Sequence, residues 1–358
     1  MNTQVAERIM EGENTLIVTE YNDASAFDLL AHQWDKLLTC CSTNTPFLTW
    51  QWQKLWWISW HHNRHLRIIA VQEESGKLFG LAPLYAEEKE DKQVLMLLGS
   101  TDLCDYLDCI VVQGEEERFY RALLSHLVSS SEKPVTLHLN SLQHHSPAIS
   151  FFAAVSHREG FPVEVNREDT APALDLPCTV ASYLNMLTKK DRHEVRRKKR
   201  RAEKEGTLAF NKIVHPSQVR EIFPRFIALF RKTAPDKDAF LTPEREQFFL
   251  SVAEEFSRRE WLELFVLSFN QQEVAYLLSF LYNDTLYLYN AAYDPDYSSL
   301  SPGIVAITCC IEDTIRRGTK RFDFLRGDET YKYRFGAQDN HLYRLTVNLL
   351  GEKKTCIA

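Results

Sequence analysis

The chain of 358 residues contains little glycine and proline, with 12 and 13 residues respectively. This scarcity excludes collagen-like and low-complexity structure, because both need far more of these residues. No apolar run approaches the length of about eighteen residues that a membrane-spanning helix requires. Residues 1–14 are polar and lack the apolar segment of a signal peptide. We therefore expect neither a membrane span nor a secretory leader.

Common metal-binding, nucleotide-binding and hydrolase motifs are also missing. The sequence has no HExxH, CxxC, Walker A, GxSxG or GxGxxG pattern. Its eight cysteines follow no metal or disulfide spacing, so thiols in a reducing cytosol are the simplest interpretation, and we predict no metal site and a cytoplasmic location. The net charge of −7 argues against a dedicated nucleic-acid coat, and no DNA partner is expected.

What is present indicates a large mixed α/β protein. Apolar residues make up 44% of the chain, which is enough for substantial cores, and the length favours two lobes. Pro172 and Pro177 lie in an extended stretch between the halves. The predicted organisation is an N-terminal lobe at 1–165, a crossover at 166–179 and a C-terminal lobe at 180–358.

Periodicity predicts the elements within each lobe. Helical spacing and β-type runs alternate along the chain, which favours mixed sheets over a helical bundle. The tryptophan-rich helix at 49–60 is interpreted as core. The strands assigned to the second sheet are 261–267, 273–280, 286–292, 321–325 and 342–349.

The densest set of ionisable side chains follows the predicted strand 321–325. Asp328, Glu329, Tyr331, Lys332 and Arg334 all lie just beyond Gly327. Strand ends that open into polar loops are common places for catalysis, although a charged surface turn has the same pattern. Acid–base catalysis at such a site would need a base, a group that stabilises developing negative charge and an acid. Candidates for these roles are Asp328 or Glu329 as the base, Lys332 as the stabiliser and Tyr331 as the acid.

A second candidate is the segment Ser301-Pro302-Gly303, which precedes an apolar helical run. Serine is a common N-cap and proline suits the first helical position. Glycine would let a phosphate approach the backbone closely. The segment predicts an anion site at a helix N-terminus, or an ordinary capped helix.

A third candidate is the segment 189–204, which contains ten Lys or Arg residues. A helix built from it is too polar to be core and is either a solvated surface or a site for a polyanion. In the second interpretation Arg192, Arg196 and Arg197 contact phosphate, since arginine can bind phosphate in a bidentate manner.

Taken in order, these segments resemble the CelD-like acetyltransferases, a group of the GNAT superfamily related to the FemAB peptidyltransferases. The resemblance rests on Lys-Lys-Asp-Arg-His-Glu-Val-Arg-Arg (189–197), Ser-Pro-Gly (301–303), Phe-Asp-Phe (322–324) and Gly-Asp-Glu-Thr-Tyr-Lys (327–332). It covers roughly residues 180–345, with weaker matches at Pro46-Phe47 and Asp105-Tyr106-Leu107-Asp108. It implies two GNAT-like lobes, each with a mixed, mostly antiparallel sheet flanked by helices.

The resemblance also implies an activity and a set of site residues. Acetyl-CoA or another acyl-CoA would be the donor, with Ser301, Pro302, Gly303, Arg192 and Arg196 holding its phosphates. Lys332 matches a family lysine and would act with Asp328 and Tyr331. Asp105, Tyr106 and Arg326 would bind the acceptor, a small molecule such as a nucleotide-linked sugar of envelope or exopolysaccharide biosynthesis.

One feature departs from the GNAT pattern. The usual Gln/Arg-x-x-Gly-x-Gly/Ala loop is missing, and only Gly303 remains of it. Two alternatives therefore stay open beside the acyl-CoA hypothesis. One is a FemAB-like transferase that uses aminoacyl-tRNA, the only case in which tRNA would be a partner. The other is a non-catalytic binding protein with a degenerate GNAT fold.

Overall fold

The computed structural model describes residues 4–11, 14–99, 102–131 and 133–349. The chain forms two compact units. The first unit contains the chain up to Asp169 and the segment from His341 onward, and the second contains Thr170–Asn340. The sequence had suggested lobes at 1–165 and 180–358, whereas here the chain returns to the first unit near its C-terminus.

The elements are numbered in chain order. The strands are β1 (Gln4–Glu11), β2 (Asn14–Tyr21), β3 (His65–Glu73), β4 (Leu78–Glu88), β5 (Gln93–Leu97), β6 (Ile110–Val111), β7 (Val135–Gln143), β8 (Val163–Thr170), β9 (Ala173–Asp175), β10 (Leu208–Ile213), β11 (Leu262–Phe269), β12 (Gln272–Tyr282), β13 (Thr285–Tyr293), β14 (Arg321–Asp323) and β15 (His341–Leu349). The α-helices are α1 (Ser25–Thr39), α2 (Trp50–Trp60), α3 (Glu116–Ser129), α4 (Ala153–Arg158), α5 (Val180–Met186), α6 (Lys189–Glu205), α7 (Pro216–Thr233), α8 (Pro235–Phe240), α9 (Pro243–Arg258), α10 (Pro302–Arg316) and α11 (Thr330–Arg334). Short 3₁₀ turns lie at Pro46–Leu48 and Pro295–Leu300, and a π turn at Ala148–Phe152 leads into α4.

The first unit is built on a nine-stranded mixed sheet. Its order is β1-β2-β3-β4-β5-β7-β15-β8, and β6 pairs with β4. β5 and β7 are parallel, while β1 to β5 and the β7–β15 pair are antiparallel. Helix α2 lies in the core as predicted, because Trp52 and Trp56 are only 0% and 1% exposed. Thr49 caps this helix by accepting a hydrogen bond from Trp52 N.

The first unit also holds a buried charged cluster around His126. Its Nε2 lies 2.8 Å from Glu20 Oε2, and its Nδ1 lies 3.1 Å from Glu7 Oε2. Arg67 binds both oxygens of Glu20 at 2.7 Å. Burial opposes ionisation of Glu20, but hydrogen bonds from His126 and Arg67 outweigh it and lower its pKa to about 2. Burial likewise opposes the charge of His126, but the two glutamates raise its pKa above the ordinary value.

The second unit is built on a six-stranded sheet with the order β10-β11-β12-β13-β14-β9. β13 and β14 are parallel and the other pairs are antiparallel. Helix α10 connects the two parallel strands and buries an apolar face that includes Val305, Ile311 and Ile315. With two mixed sheets flanked by helices, the predicted mixed α/β class is confirmed.

Several predicted elements differ from the structure. The strand at 342–349 was assigned to the second sheet, but β15 pairs with β7 in the first, so that assignment is wrong. The segment 180–205 forms two helices, α5 and α6, because Thr188 caps the second by accepting a hydrogen bond from Asp191 N at 3.1 Å. Strand β1 and the short helices α8 and α11 were not predicted.

Within the part of the chain that the structure describes, no helix combines the length and hydropathy needed to span a bilayer. The same residues contain no disulfide, and they hold no cluster of His, Cys, Asp or Glu with the geometry of a metal site.

Candidate active site in the second unit

The turn between β13 and α10 shapes one wall of the candidate site. Asp294 Oδ1 accepts a hydrogen bond from Asp296 N at 3.0 Å and fixes the first bend. Ser301 follows with φ 53° and ψ 53°, a left-handed conformation that is costly for a residue with a Cβ. Its carbonyl accepts from Val305 N and begins α10. The predicted position of Ser301 is confirmed, but its side chain makes no capping bond.

The N-terminus of α10 can receive an anion. Pro302 occupies the first turn, as predicted, and has no N–H group. The N–H groups of Gly303 and Ile304 precede the first intrahelical donor, Val305, and the N-cap side chain does not satisfy them. The helix dipole adds partial positive charge at the same end. A Cβ on Gly303 would lie 3.3 Å from Tyr293 Cδ1, so a side chain here would crowd the site.

The two parallel strands beside α10 separate early. β14 pairs with β13 only at Thr285, Leu286 and Tyr287, although β13 continues to Tyr293. The register between β13 and β12 also shifts after Leu278, which marks a β-bulge near the middle of β13. Bulges bend strands and redirect their backbone groups, and they are frequent beside active sites. The separation leaves the later part of β13 with an edge that faces no strand of the described chain.

A cavity of about 400 Å³ opens at this separation. It is lined by α10 and its preceding turn, by the end of β13, and by side chains of α6, α8 and α11. The structure therefore brings together four residues that the sequence predicted separately, namely Ser301, Pro302, Gly303 and Tyr331. It adds to them Lys198, Lys237, Ala291, Tyr293, Ser298, Ile304 and Ile307.

Lys237 reaches this cavity from α8. Its ammonium donates a hydrogen bond to the carbonyl of Ala291 on β13 and lies 4.8 Å from the centre of the Phe230 ring. Burial lowers the pKa of Lys237 below its ordinary value, although the charges of Asp236 and Glu329 oppose the shift. Lysines with a lowered pKa are common in active sites.

The loop between β14 and α11 is organised by Lys332. The side chain is 2% exposed, and Nζ donates to the carbonyls of Leu325, Arg326 and Gly327 at 3.0, 2.7 and 2.9 Å. Glu329 Oε2 lies 2.9 Å from the same nitrogen. This loop contains two residues with positive φ, Leu325 at 59° and Gly327 at 104°. Lys332 therefore fixes the loop, and its predicted catalytic role stays a prediction.

The other predicted residues of this motif have different environments. Asp328 is exposed, and Arg326 is half-buried in the loop that Lys332 holds. Tyr331 lines the cavity, and burial together with the charge of Glu329 raises the pKa of its phenol well above the ordinary value. Tyr331 therefore stays protonated near neutral pH and can donate a proton. Buried Asp323 accepts a hydrogen bond from Leu325 N at 2.8 Å, whereas Arg321 pairs with Asp175.

The predicted basic helix forms a separate groove in the same unit. The groove has a volume of about 860 Å³ and is lined by the first half of α6 and by Arg334. Arg196, Arg200 and Arg334 make no ion pair within the described residues. Arg197, by contrast, is bound in a bidentate pair to Glu194 at 2.8 Å, and its expected contact with phosphate stays a prediction.

Arg192 and Arg196, which the sequence predicted to contact phosphate, both line this groove. Arg192 also donates weakly to Leu184 O and Asn185 Oδ1 at 3.4 and 3.3 Å. Neither arginine lines the cavity at α10, so a shared role with Gly303 in holding one phosphate stays a prediction.

Asp105 and Tyr106 lie in the first unit, in the segment between β5 and β6. Tyr106 is 2% exposed, and its ring stands edge-on to Phe47 at 6.0 Å. Asp105 is half-buried. Their predicted role in acceptor binding stays a prediction.

Comparison with family models finds a match to part of the second unit. Residues 189–333 match the family model described as an acetyltransferase (GNAT) domain. No curated protein matches the chain in sequence. The match runs from the start of α6 to residue 333 in α11, so it includes every residue that lines the cavity and all of the basic groove except Arg334.

Solved structures resemble the whole chain in fold. FemX is 13% identical, with a TM-score of 0.61 over 87% of this chain and 95% of that chain. The C-terminal domain of a putative lysylphosphatidylglycerol synthetase from Agrobacterium fabrum is 10% identical, with a TM-score of 0.55 over 90% and 92%. L-PGS from Bacillus licheniformis is 11% identical, with a TM-score of 0.54 over 91% and 93%. At these identities the likeness establishes the fold alone.

Proposed function

We propose that the protein is an acyltransferase that uses acetyl-CoA or another acyl-CoA as donor. The acceptor would be an amine or hydroxyl of a small molecule, such as an envelope or exopolysaccharide precursor. The observation that carries this proposal is the cavity where β13 and β14 separate, with the N-terminus of α10 on its wall. The GNAT match over the same elements supports it.

The chemistry of CoA fits the groups that line the cavity. Its pyrophosphate would lie at the N–H groups of Gly303 and Ile304, where the helix dipole and Lys198 add positive charge. Its pantetheine arm carries two amides in an extended chain. Because the later part of β13 faces no described strand on the β14 side, that edge can pair with such an arm as an added strand would.

Transfer requires that the acceptor loses a proton and that the CoA thiolate gains one. Tyr331 is the best placed acid, because it lines the cavity and its phenol is protonated near neutral pH. Asp328, one of the two candidate bases, is exposed. Lys332 would act by holding the loop on which both residues depend, since its ammonium already binds three carbonyls.

The second candidate function is transfer from aminoacyl-tRNA, and the basic groove favours it. Arg196, Arg200 and Arg334 offer cations without carboxylate partners in the described chain, and a polyanion would neutralise them. The same groove fits a phosphate-bearing acceptor, such as a nucleotide-linked sugar, under the acyl-CoA proposal. Donor binding therefore has to be measured directly.

The test is calorimetry with acetyl-CoA on the wild type, Gly303→Ala and Gly303→Val. The alanine Cβ would press on Tyr293 at 3.3 Å, and valine would fill more of the space needed by a phosphate. We expect a graded loss, with at least about a tenfold rise in Kd for Gly303→Val, or about 1.4 kcal/mol. The melting temperature should change little, because Tyr293 is 38% exposed and can move, and valine favours helix slightly more than glycine does.

Three outcomes separate the hypotheses. Equal affinity in all three proteins would place the donor elsewhere. Absence of acetyl-CoA binding, together with salt-sensitive binding of charged tRNA, would favour the aminoacyl-tRNA candidate. Binding of neither ligand would leave the degenerate, non-catalytic GNAT fold as the remaining explanation.

A further inference from the structure

We propose that Lys237 is the general base of the reaction and accepts the proton of the attacking amine or hydroxyl. This inference rests on the acyl-CoA function proposed above and names one of its catalytic residues. It was not visible in the sequence, because Lys237 belongs to the unpredicted helix α8 and lies far along the chain from the motifs at 301–303 and 327–332.

The position of Lys237 suits this role. Its side chain enters the cavity without an ion-pair partner, because no carboxylate of the described residues lies at ion-pair distance from Nζ. Its contacts are the carbonyl of Ala291 and the face of Phe230. Ala291 lies on the part of β13 that β14 does not cover, where the proposed pantetheine arm would run. The amine therefore lies beside the path of the thioester.

The contrast with Lys332 shows why the two lysines differ in chemistry. Three carbonyls and a carboxylate surround the Lys332 ammonium, and all of them stabilise its charge. Lys237 has one carbonyl and a ring. Burial lowers its pKa, and the opposing charges are more distant. Lys332 is thus suited to hold structure, and Lys237 to exchange a proton.

The ionisable groups that face Lys237 come from four elements. Lys198 of α6 lines the same cavity, and its Nζ lies 3.7 Å from Glu194 Oε1. Asp236 of α8 and Glu329 at the start of α11 favour the ammonium. Tyr293 and Tyr331 complete the polar wall. In the neutral amine, one N–H can bind Ala291 O while the lone pair remains for the acceptor.

The step balances without any further reagent. The acceptor nitrogen or oxygen forms a bond to the thioester carbon while its proton moves to the Lys237 nitrogen. The C–S bond then breaks, and the electron pair leaves on the CoA sulfur. Tyr331 supplies a proton to that sulfur and recovers one from the Lys237 ammonium, directly or through solvent. The products are the acylated acceptor and CoA, and the enzyme returns to its initial protonation state.

The first test measures the basicity of Lys237 independently of activity. The full chain is pulse-labelled with trace acetic anhydride across a pH series, and acetylation of each lysine is read by peptide mass spectrometry. We expect Lys237 to become reactive at a lower pH than Lys204, an exposed lysine of α6 that does not line the cavity. Saturating CoA should protect Lys237 and leave Lys204 unchanged. An ordinary titration of Lys237, or its failure to be protected by bound CoA, would overturn the inference.

The second test uses acetyl-CoA hydrolysis, with water as the acceptor, followed by loss of thioester absorbance. Lys237→Met and Lys237→Arg should both lower the rate by about 10²-fold or more, the usual contribution of a general base. Arginine can keep a hydrogen bond to Ala291 O but cannot lose its proton. Wild-type hydrolysis by Lys237→Arg would therefore reduce Lys237 to a structural contact. Lys204→Met serves as the matched control and should keep the wild-type rate.

The pH dependence of hydrolysis separates a catalytic role of Lys237 from a structural one, because a purely structural residue would not change it. The hydrolysis rate should rise with pH as Lys237 loses its proton, and both Lys237 variants should lack this limb. Glu329→Gln should shift the limb to lower pH, because the Glu329 charge raises the pKa of Lys237. If CoA binds but the pH-dependent rise in rate persists in the Lys237 variants, the assignment of Lys237 as the base is wrong and the proposed function stands. The same holds if CoA binds but hydrolysis does not exceed the rate in buffer alone. If wild-type protein does not bind CoA, the proposed function fails and the inference with it.

Discussion

Replacement of Lys332 by alanine should destabilise the second unit. The contacts of Lys332 allow the loss in free energy of unfolding to be estimated. The substitution removes a buried ammonium that donates to three carbonyls at 2.7–3.0 Å. Hydrogen bonds to a charged group contribute about 1.5–3 kcal/mol each, and removing one partner of a buried charged contact costs about 3–5 kcal/mol. The Glu329 side chain is 57% exposed, so water compensates its loss of a partner. We expect about 3 kcal/mol, or roughly 6–12 °C in the melting temperature of a unit of this size.

The measurement is thermal and urea unfolding followed by circular dichroism. Lys332→Met should lose most of the same stability, because it keeps the aliphatic chain but none of the three donors. Lys320→Ala, at an exposed site in the same unit, is the control and should melt with the wild type. The catalytic role that the sequence assigned to Lys332 would instead leave the fold of Lys332→Ala intact and abolish transfer. An unchanged melting temperature would refute the stabilising role derived from the contacts, and transfer by the variant has to be assayed below its own melting transition.

Two further predictions concern charge. The double variant Arg192→Ala/Arg196→Ala should bind inorganic pyrophosphate or a nucleotide diphosphate about tenfold more weakly in calorimetry, with little change in stability. Arg197→Ala is the control and should affect neither property strongly. If the double variant unfolds markedly while its binding is unchanged, the groove has a structural role only. Because the pKa of His126 is raised in the folded state, its stabilising contribution is complete below about pH 6.5 and is lost as pH rises through the raised pKa. His126→Gln should remove that part of the pH dependence of stability in urea titrations between about pH 6 and 9. His144→Gln, at an exposed histidine, should not. If His126→Gln keeps the wild-type pH dependence, stability is not linked to protonation of His126.

The sequence predicted most of the second sheet because its strands carry local signals. The apolar runs at 261–267, 273–280 and 286–292 correspond to β11, β12 and β13. The Ser-Pro-Gly start of α10 was equally local, since proline and glycine restrict or free the backbone at their own positions. What the sequence could not predict was the left-handed conformation of Ser301, which the following packed helix imposes on a residue that does not favour it.

Strand partners and side-chain directions were the harder part. β15 alternates buried and more exposed residues, with Leu345 and Val347 buried, and this pattern suits a strand with one buried face in either sheet. Its partner β7 lies about two hundred residues away, so no local signal identifies the pairing. In the segment 328–334 the sequence likewise showed a cluster of ionisable residues, but it did not show that the Lys332 side chain is buried. Lys237 was missed because a lone lysine in a six-residue helix has no periodic signal.

Helix α6 explains how two sites for anions can work in one unit and still be tested separately. Arg192, Arg196 and Arg200 recur every four residues and therefore form one stripe, which lines the basic groove. Lys198 lies two positions after Arg196, about 200° further around the helix, and lines the cavity at α10 instead. The helix is fixed between them, because Val195 and Ala202 are buried in the core and Lys199 pairs with Glu312 of α10 at 2.7 Å.

This arrangement has a consequence for the choice between donors. If CoA occupies the cavity alone, substitutions in the arginine stripe should leave the affinity for acetyl-CoA unchanged and act on the acceptor. If a single long polyanion spans both surfaces, substitutions at Gly303 and at Arg196 should weaken the same binding event, and loss of the Arg196 cation should also reduce its salt dependence. The rigid attachment of α6 to α10 makes the two cases distinguishable, since neither set of changes should shift the other surface. Additive and independent effects would therefore support an acyl-CoA donor with a separate phosphate-bearing acceptor, and coupled effects would support aminoacyl-tRNA.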